Sequence, residues 1–274
     1  MSATLRAIGP VMLVGAGKMG LALAKGWLDA GLPAANLLLV EPHPTEITTE
    51  FARDYEVTIS PEAVGLQPNV IVLAVKPQII DVVMASLAPA IGPHTMVLSI
   101  AAGIDIKRLS AGLGMGRVVR AMPNTPAQIG KGISGAVAGP EVSEAGREAA
   151  EALLGAAGPV VWFEDEAGLD AVTALSGSGP AYVFHLVEAL AEAGRRQGLS
   201  DAVARQLARH TVIGSAALLE ADGAEPSVLR QNVTSPNGTT AAGLSVLMGE
   251  NGLVDLIDRT VAAARKRSEE LGRG

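Results

Sequence analysis

An α/β domain followed by an all-helical domain is the fold the sequence predicts, and three observations predict it. Short apolar runs alternate with helical patterns through the first half, a glycine-rich turn joins the first run to the first helix, and strand signals stop after "WFEDEAGLD". With 274 residues the chain can hold two domains, each with its own core. The expected boundaries are 1–166 for the α/β part and 167–274 for the helical part.

The runs VMLV (11–14), LLLV (37–40), VIVLAV (70–75), MVLSI (96–100) and RVVRAM (117–122) are apolar on both faces. Parallel strands covered by helices on either side read this way. Helices are expected at about 18–30, 45–54, 77–87 and 105–112, followed by a strand near 133–138, a helix over 143–155 and a last strand, PVVWF, at 159–163. Beyond that point only helical patterns follow, at 167–175, 179–197, 201–221, 226–232, 239–249 and 252–271. In the second of these, His185, Glu188, Glu192 and Arg195 form one narrow polar stripe and the rest is apolar, so the helix needs cover on most sides. About a hundred residues struggle to provide it, which predicts that the helical half is also a subunit interface.

Composition removes several function classes. No cysteine is present, so disulfides, zinc–thiolate sites and cysteine nucleophiles are excluded, and no metal site is expected. The net charge of −7 argues against a nucleic-acid partner. The basic cluster Arg265-Lys266-Arg267 lies in a helical pattern near the C-terminus and reads as a solvated helix end. No apolar run nears the ~20 residues that cross a bilayer, and MSATLRAIGP lacks a charged segment followed by an apolar one. No membrane partner and a cytoplasmic location are therefore expected.

The turn "VGAGKMG" carries Gly15, Gly17 and Gly20 in a G-x-G-x-x-G pattern with Ala16, Lys18 and Met19 between them. Gly15 permits the tight bend, Gly17 lets backbone approach a pyrophosphate, and Gly20 lets helix and strand pack closely. The helix behind it presents unpaired N–H groups and a partial positive charge to an anion. In this strand–turn–helix context the pattern predicts a Rossmann-like, doubly wound sheet that binds a dinucleotide. Glu41, 21 residues after Gly20 at the end of the second run, is placed to accept hydrogen bonds from an adenosine ribose. Its charge repels a 2′-phosphate and no arginine follows before Arg53, so the cofactor is NADPH or NADH with a lean to NADH.

Ligands of such sheets lie at the carboxyl ends of the strands. The loop AVKPQ supplies Ala74, Val75, the cation Lys76 and Pro77, and SIAAGI supplies Ala101, Ala102 and Gly103, small enough to admit a flat ring. AMPNTPAQIG supplies Asn124, a neutral hydrogen-bonding group between two prolines. In the helical half, Ser176-Gly177-Ser178-Gly179-Pro180 interrupts a helical stretch; its serines suit capping and its glycines suit a backbone nest of N–H groups. NVTSPNGTTAAG (232–243) is a second loop of this kind opening onto a helix. Two such nests are suited to a small carboxylate.

"GAGKMG", "AVKPQ", "RAMPNTPA", "ALSGSGPAYVF" and "VTSPNGTTAAGL" together resemble pyrroline-5-carboxylate reductases, essentially end to end. The resemblance implies an α/β N-terminal Rossmann-like sheet plus an all-α C-terminal dimerisation domain, and an NAD(P)H-dependent oxidoreductase that reduces the cyclic imine 1-pyrroline-5-carboxylate to L-proline, the final step of proline biosynthesis. It also implies a homodimer through the helical domain, with dimers assembled in many members into decamers. By likeness the substrate carboxylate meets Ser235, Gly238 and Thr239, with Ser176 and Gly177 on the substrate side, and the Thr240 hydroxyl lies by the imine nitrogen as the catalytic group. Asn237 departs from the glycine usual in the family; asparagine tolerates left-handed backbone angles, so the loop shape is expected to persist.

Two other readings remain open on the residues alone. One is another Rossmann imine or hydroxy-acid dehydrogenase, which would want a Lys or His acid–base group that the second-half loops lack. The other is a nucleotide-sensing oligomer without turnover, which leaves those loops without a role. His185 and His210 lie within helix patterns and read as structural.

Overall fold

A computed structural model describes residues 3–63 and 67–272. After α1 (Ala3–Ala7), eight strands form one sheet: β1 (Val11–Val14), β2 (Leu37–Val40), β3 (Thr58–Ser60), β4 (Val70–Leu73), β5 (Met96–Ser99), β6 (Val118–Met122), β7 (Ser134–Ala138) and β8 (Val160–Trp162). Their order is β3-β2-β1-β4-β5-β6-β7-β8. β1 to β6 are parallel; β7 runs against β6, and β8 follows β7. The order reverses direction between β2-β1 and β4-β5, so a crevice opens at the carboxyl ends of β1 and β4.

All four residues of β1, β2, β4 and β5 are buried, which is why these segments read as unbroken apolar runs. Alternate residues face opposite ways. Val11, Leu13, Leu37, Leu39, Val70 and Val72 pack with Leu23 and Trp27 of α2 (Lys18–Asp29) and with Leu153 and Leu154 of α6 (Glu144–Gly155). Met12, Val14, Leu38, Val40, Ile71 and Leu73 face Ile80 and Met84 of α4 (Ile80–Ser86) and Leu109 and Leu113 of α5 (Ile106–Leu113). The Trp27 indole N–H donates to Leu153 O at 2.7 Å, so this largest core side chain is buried without an unpaired polar atom. Side-chain caps start three helices: Thr45 for α3 (Glu46–Asp54), Asp105 for α5 and Ser143 for α6.

Two differences from the expected elements have clear causes. β3 is an edge strand of three residues, Thr58-Ile59-Ser60, too short and too polar to stand out as an apolar run. The stretch 173–180 breaks the α-helical winding as expected, with Ser178 at the N-cap position and Pro180 in the first turn of the next helix, but its serines make no side-chain cap. α7 (Ala167–Val172) passes into a π-turn (Thr173–Gly177) and on to α8 (Gly179–Arg196). Ser178 has helical angles and makes no side-chain cap bond, while the hydroxyls of Thr173 and Ser176 donate to the carbonyls of Leu169 and Val172. Hydroxyls bonded back into the preceding turn favour a local change of winding over a stop.

The described residues fall into two compact units, one running to Gly177 and including the chain from Ala264 onward, the other Ser178–Ala263. In the first, Leu169 and Val172 pack on Gly135 of β7, and Glu166 accepts the Ile106 N–H at 3.0 Å and pairs with Arg120 at 2.8 Å. The Ser268 hydroxyl donates to Asp170 at 2.6 Å. The second unit holds α8, α9 (Asp201–Asp222), α10 (Pro226–Asn232), α11 (Thr239–Leu247) and most of α12 (Leu253–Gly272). α8 and α9 meet through small residues, Gly194 against Ala204, with Ala191, Ala204 and Ala208 buried.

The polar stripe read on α8 is present: His185 pairs with Glu188 at 2.9 Å, and Glu192 pairs with Arg195 and Arg196. Its apolar face is not covered within one chain. Val183, Phe184, Leu186 and Leu190 are all exposed, Phe184 by 63%.

Candidate active site

The glycine turn occupies the switch point. Gly15 has φ +94°, and a Cβ there would lie 2.8 Å from both Ala74 O and Val75 Cγ1, so the loops after β1 and β4 touch at this residue. Ala74 N–H donates to Val14 O at 2.8 Å and Gly15 N–H to Val40 O at 3.0 Å, tying three strand ends together. A Cβ on Gly20 would come within 2.3 Å of Gly15 O and 3.3 Å of Ala74 Cβ, which fixes how closely α2 starts behind the turn. Gly17 is different in kind. A Cβ there would meet nothing within 4 Å, and its angles, φ −75° and ψ −177°, suit any residue.

Gly17 is the N-cap of α2 and has no side-chain cap bond, so the first-turn amides of Lys18 and Met19 face open space. An open cradle of backbone N–H groups at a helix start fits a dinucleotide pyrophosphate.

Glu41 stands where the sequence puts it, at the end of β2, half-buried against the turn. One carboxylate oxygen accepts the Ala16 N–H at 3.1 Å and the other the His43 N–H at 3.2 Å. A residue that sequence reasoning passed over holds Ala16 through its other backbone group: the buried Thr48 hydroxyl donates to Ala16 O at 3.3 Å. The signal for it was the Thr45-x-x-Thr48 start of α3, in which Thr45 accepts the Thr48 N–H.

Along the same sheet edge, Lys76 is exposed and Pro77 opens a short 3₁₀ turn. Ala101 is buried, Ala102 exposed, and Gly103 has φ +74° with Leu271 O 3.4 Å from its would-be Cβ. Asn124, at the end of β6, is buried and engaged with protein: its Nδ2 donates to Ser176 O at 3.1 Å, and its Oδ1 accepts the Ile133 N–H at 3.0 Å. The structure thus brings Gly15, Ala16, Gly17, Gly20, Glu41, Ala74 and Val75 together at one switch point, with Ser176 joined to Asn124 in the same unit.

In the helical unit, Gly238 caps α11 with extended angles, and Thr239 and Thr240 are its first residues. The Ala242 N–H is the first to return to the turn, donating to Gly238 O at 3.1 Å. The Gly238 N–H donates to Ser235 O at 3.1 Å, which leaves the amides of Thr239, Thr240 and Ala241 without a helical acceptor at the start of a nine-residue helix. A Cβ on Gly238 would lie 2.3 Å from the Ser235 hydroxyl oxygen, so only glycine lets that hydroxyl sit over the helix start. Asn237 holds φ 56°, the left-handed angle expected of it. Hydroxyls of Ser235, Thr239 and Thr240 beside first-turn amides are groups suited to a small anion without an arginine.

His185 and His210 are exposed on their helices, and His185 is paired with Glu188. Among the described residues no cluster of His, Cys, Asp or Glu is suited to a metal, and no helix is long and apolar enough to cross a membrane.

Residues 166–271 match the family model described as pyrroline-5-carboxylate reductase dimerisation, and residues 10–103 match the one described as NADP oxidoreductase, coenzyme F420-dependent. The chain is 44% identical to the pyrroline-5-carboxylate reductase of Pseudomonas aeruginosa over 265 residues, covering 95% of this chain and 96% of that protein. It is similar to the solved pyrroline-5-carboxylate reductase of Coxiella burnetii, with a TM-score of 0.90, 32% identity and coverage of 96% and 98%. The Plasmodium falciparum pyrroline carboxylate reductase, solved with NADP bound, has a TM-score of 0.80 at 28% identity, with the same coverage. An open glycine cradle at the switch point, a threonine-rich helix start and likeness over nearly the whole length agree, and the chain belongs to the pyrroline-5-carboxylate reductase family.

Proposed function

We propose that this chain reduces the C=N bond of 1-pyrroline-5-carboxylate with NADH or NADPH, giving L-proline. The observation that carries the reading is a single chain with both receptors the reaction needs: the uncapped start of α2 for a pyrophosphate, and the start of α11 with Ser235, Thr239 and Thr240 for a small carboxylate. Residues 1–166 serve the dinucleotide; residues 167–274 carry the substrate loop and pair with a second copy, in solution a homodimer and in larger assemblies a decamer. We place the enzyme in the cytoplasm.

Bound in the cradle, a reduced nicotinamide supplies the hydride. The chain's own residues hold, orient and shield. The amides of Lys18 and Met19 and the turn Gly15–Gly20 bind the pyrophosphate, with Ala74, Val75, Lys76, Pro77, Ala101, Ala102 and Gly103 lining the sheet edge beside it. Glu41 disfavours a 2′-phosphate next to its own carboxylate, so NADH is the preferred donor. A carboxylate at the α11 start gains from the helix dipole, roughly 0.3–1 kcal/mol where exposed and up to ~2 kcal/mol where partly buried.

Addition of hydride to the imine carbon moves an electron pair onto nitrogen, which must carry a proton by the end of the step. A threonine hydroxyl is too weak an acid to supply it alone. Thr240 therefore orients a protonated imine or passes on a proton from water, and most of the acceleration comes from holding two flat reactants in register. Mixing purified protein, 1-pyrroline-5-carboxylate and NADH tests the reading. Loss of reduced-nicotinamide absorbance that depends on the imine supports it, and binding of NADH without turnover refutes it.

A further inference from the structure

The Ser176 carbonyl lies where a helix would leave it without a donor. In an α-helix it would accept the N–H four residues on, but that residue is Pro180, which has none. The next amide, that of Ala181, turns back to Ser178 O at 3.0 Å. The π-turn thus ends on a carbonyl that its own helix cannot satisfy, in a half-buried position where an unpaired acceptor is costly. Asn124 supplies the missing donor. Its Nδ2 reaches Ser176 O at 3.1 Å from the end of β6, while its Oδ1 holds the Ile133 N–H at the start of β7.

One buried amide therefore ties the sheet edge to the Ser176–Gly177 peptide, and it does so at the spot where proline removed the helical alternative. Close packing supports the tie: a Cβ on Gly177 would lie 3.0 Å from Met122 Cε, on the strand that leads to Asn124.

We infer that Asn124 is a positioning residue for the imino acid side of the site, standing in for the amide that Pro180 lacks and fixing the Ser176–Gly177 turn, and is not a contact of the dinucleotide. The inference rests on the substrate-side role given above to Ser176 and Gly177. A carboxamide is required because the two neighbours make opposite demands, a carbonyl that needs a donor and an N–H that needs an acceptor.

The test uses Asn124→Ala in the full chain, in the native background and beside Pro180→Ala, which returns an N–H four residues after Ser176. In the native background kcat/KM for 1-pyrroline-5-carboxylate falls by about five- to a hundredfold, the range expected for leaving a buried acceptor unpaired, while the NADH dissociation constant stays within about twofold. In the Pro180→Ala background the same substitution lowers kcat/KM by at least about threefold less, because the carbonyl then has a helical donor. A purely structural role through Ile133 would give the same loss in both backgrounds, and that result overturns the inference. So does a parallel loss of NADH affinity. If Asn124→Ala does not fold, Asn124→Asp, which keeps the acceptor for Ile133, takes its place in the same comparison. An inactive native enzyme would instead refute the proposed reaction, which separates the two failures.

Discussion

Two alanine substitutions in one turn are expected to have opposite consequences, and the difference follows from distances. At Gly17 a Cβ meets nothing within 4 Å and the backbone angles are ordinary, so Gly17→Ala leaves the fold intact. The narrower unfolded ensemble favours the variant by ~0.4–1 kcal/mol, and the poorer fit of alanine at the α2 N-cap offsets about as much, so stability is nearly unchanged. At Gly20 the new carbon would lie 2.3 Å from Gly15 O, a backbone atom that cannot swing aside. Relief requires α2 to move off the turn, an overpacking cost of about 1–3 kcal/mol or more. If the space over Gly17 is where a pyrophosphate lies against the backbone, a methyl there lengthens the contacts with the first-turn amides. Loss of about 1.4–2.8 kcal/mol of binding corresponds to a Kd for NADH raised roughly ten- to a hundredfold. Thermal unfolding and NADH fluorescence titration on the same samples separate the effects: Gly17→Ala should keep its Tm and lose affinity, and Gly20→Ala should lose Tm. A Gly17→Ala protein that binds NADH like the parent would falsify the placement of the pyrophosphate.

Further expectations concern other parts of the chain. Thr240→Ala lowers kcat by about ten- to a thousandfold and Thr240→Ser keeps most of it, measured in steady state with imine saturating; an unchanged kcat in the alanine variant removes Thr240 from the reaction. Glu41→Gln keeps one acceptor for the Ala16 or His43 N–H and removes the charge, so the ratio of kcat/KM for NADPH over NADH rises. Glu41→Ala, which frees both amides, weakens both cofactors, and equal NADH and NADPH kinetics before and after either change would remove the residue from specificity. The uncovered face of α8, with Val183, Phe184, Leu186 and Leu190, is expected to close against a second copy, so sedimentation at micromolar concentration gives a dimer or a multiple of dimers, and a monomer contradicts the pairing.

What could be read from the sequence was whatever depended on neighbours along the chain. Strands such as Leu37–Val40 are buried on both faces and must be apolar throughout, and the turn announces itself because Gly15 and Gly20 each answer a steric demand while Gly17 leaves the helix start open. What could not be read depended on partners far away. Thr58–Ser60 is a strand only because β2 lies beside it. The segment 173–180 was legible as a break because serine, glycine and proline are poor helix formers, but its π-turn, held by hydroxyl bonds to Leu169 and Val172 and by the amide of Asn124, 52 residues earlier, was not. Glu41 was placed correctly by its distance from Gly20, but its grip on the Ala16 N–H, opposite Thr48, became visible only once the turn and the second strand were side by side.

The central claim is that this chain delivers hydride to an imine carbon, and an isotope follows that step most directly. NADH carrying deuterium at its transferable position, incubated with the protein and 1-pyrroline-5-carboxylate, is expected to give L-proline with one deuterium on the ring carbon that had been doubly bonded to nitrogen. Proline without deuterium, or NADH that binds while the imine persists, would contradict the account.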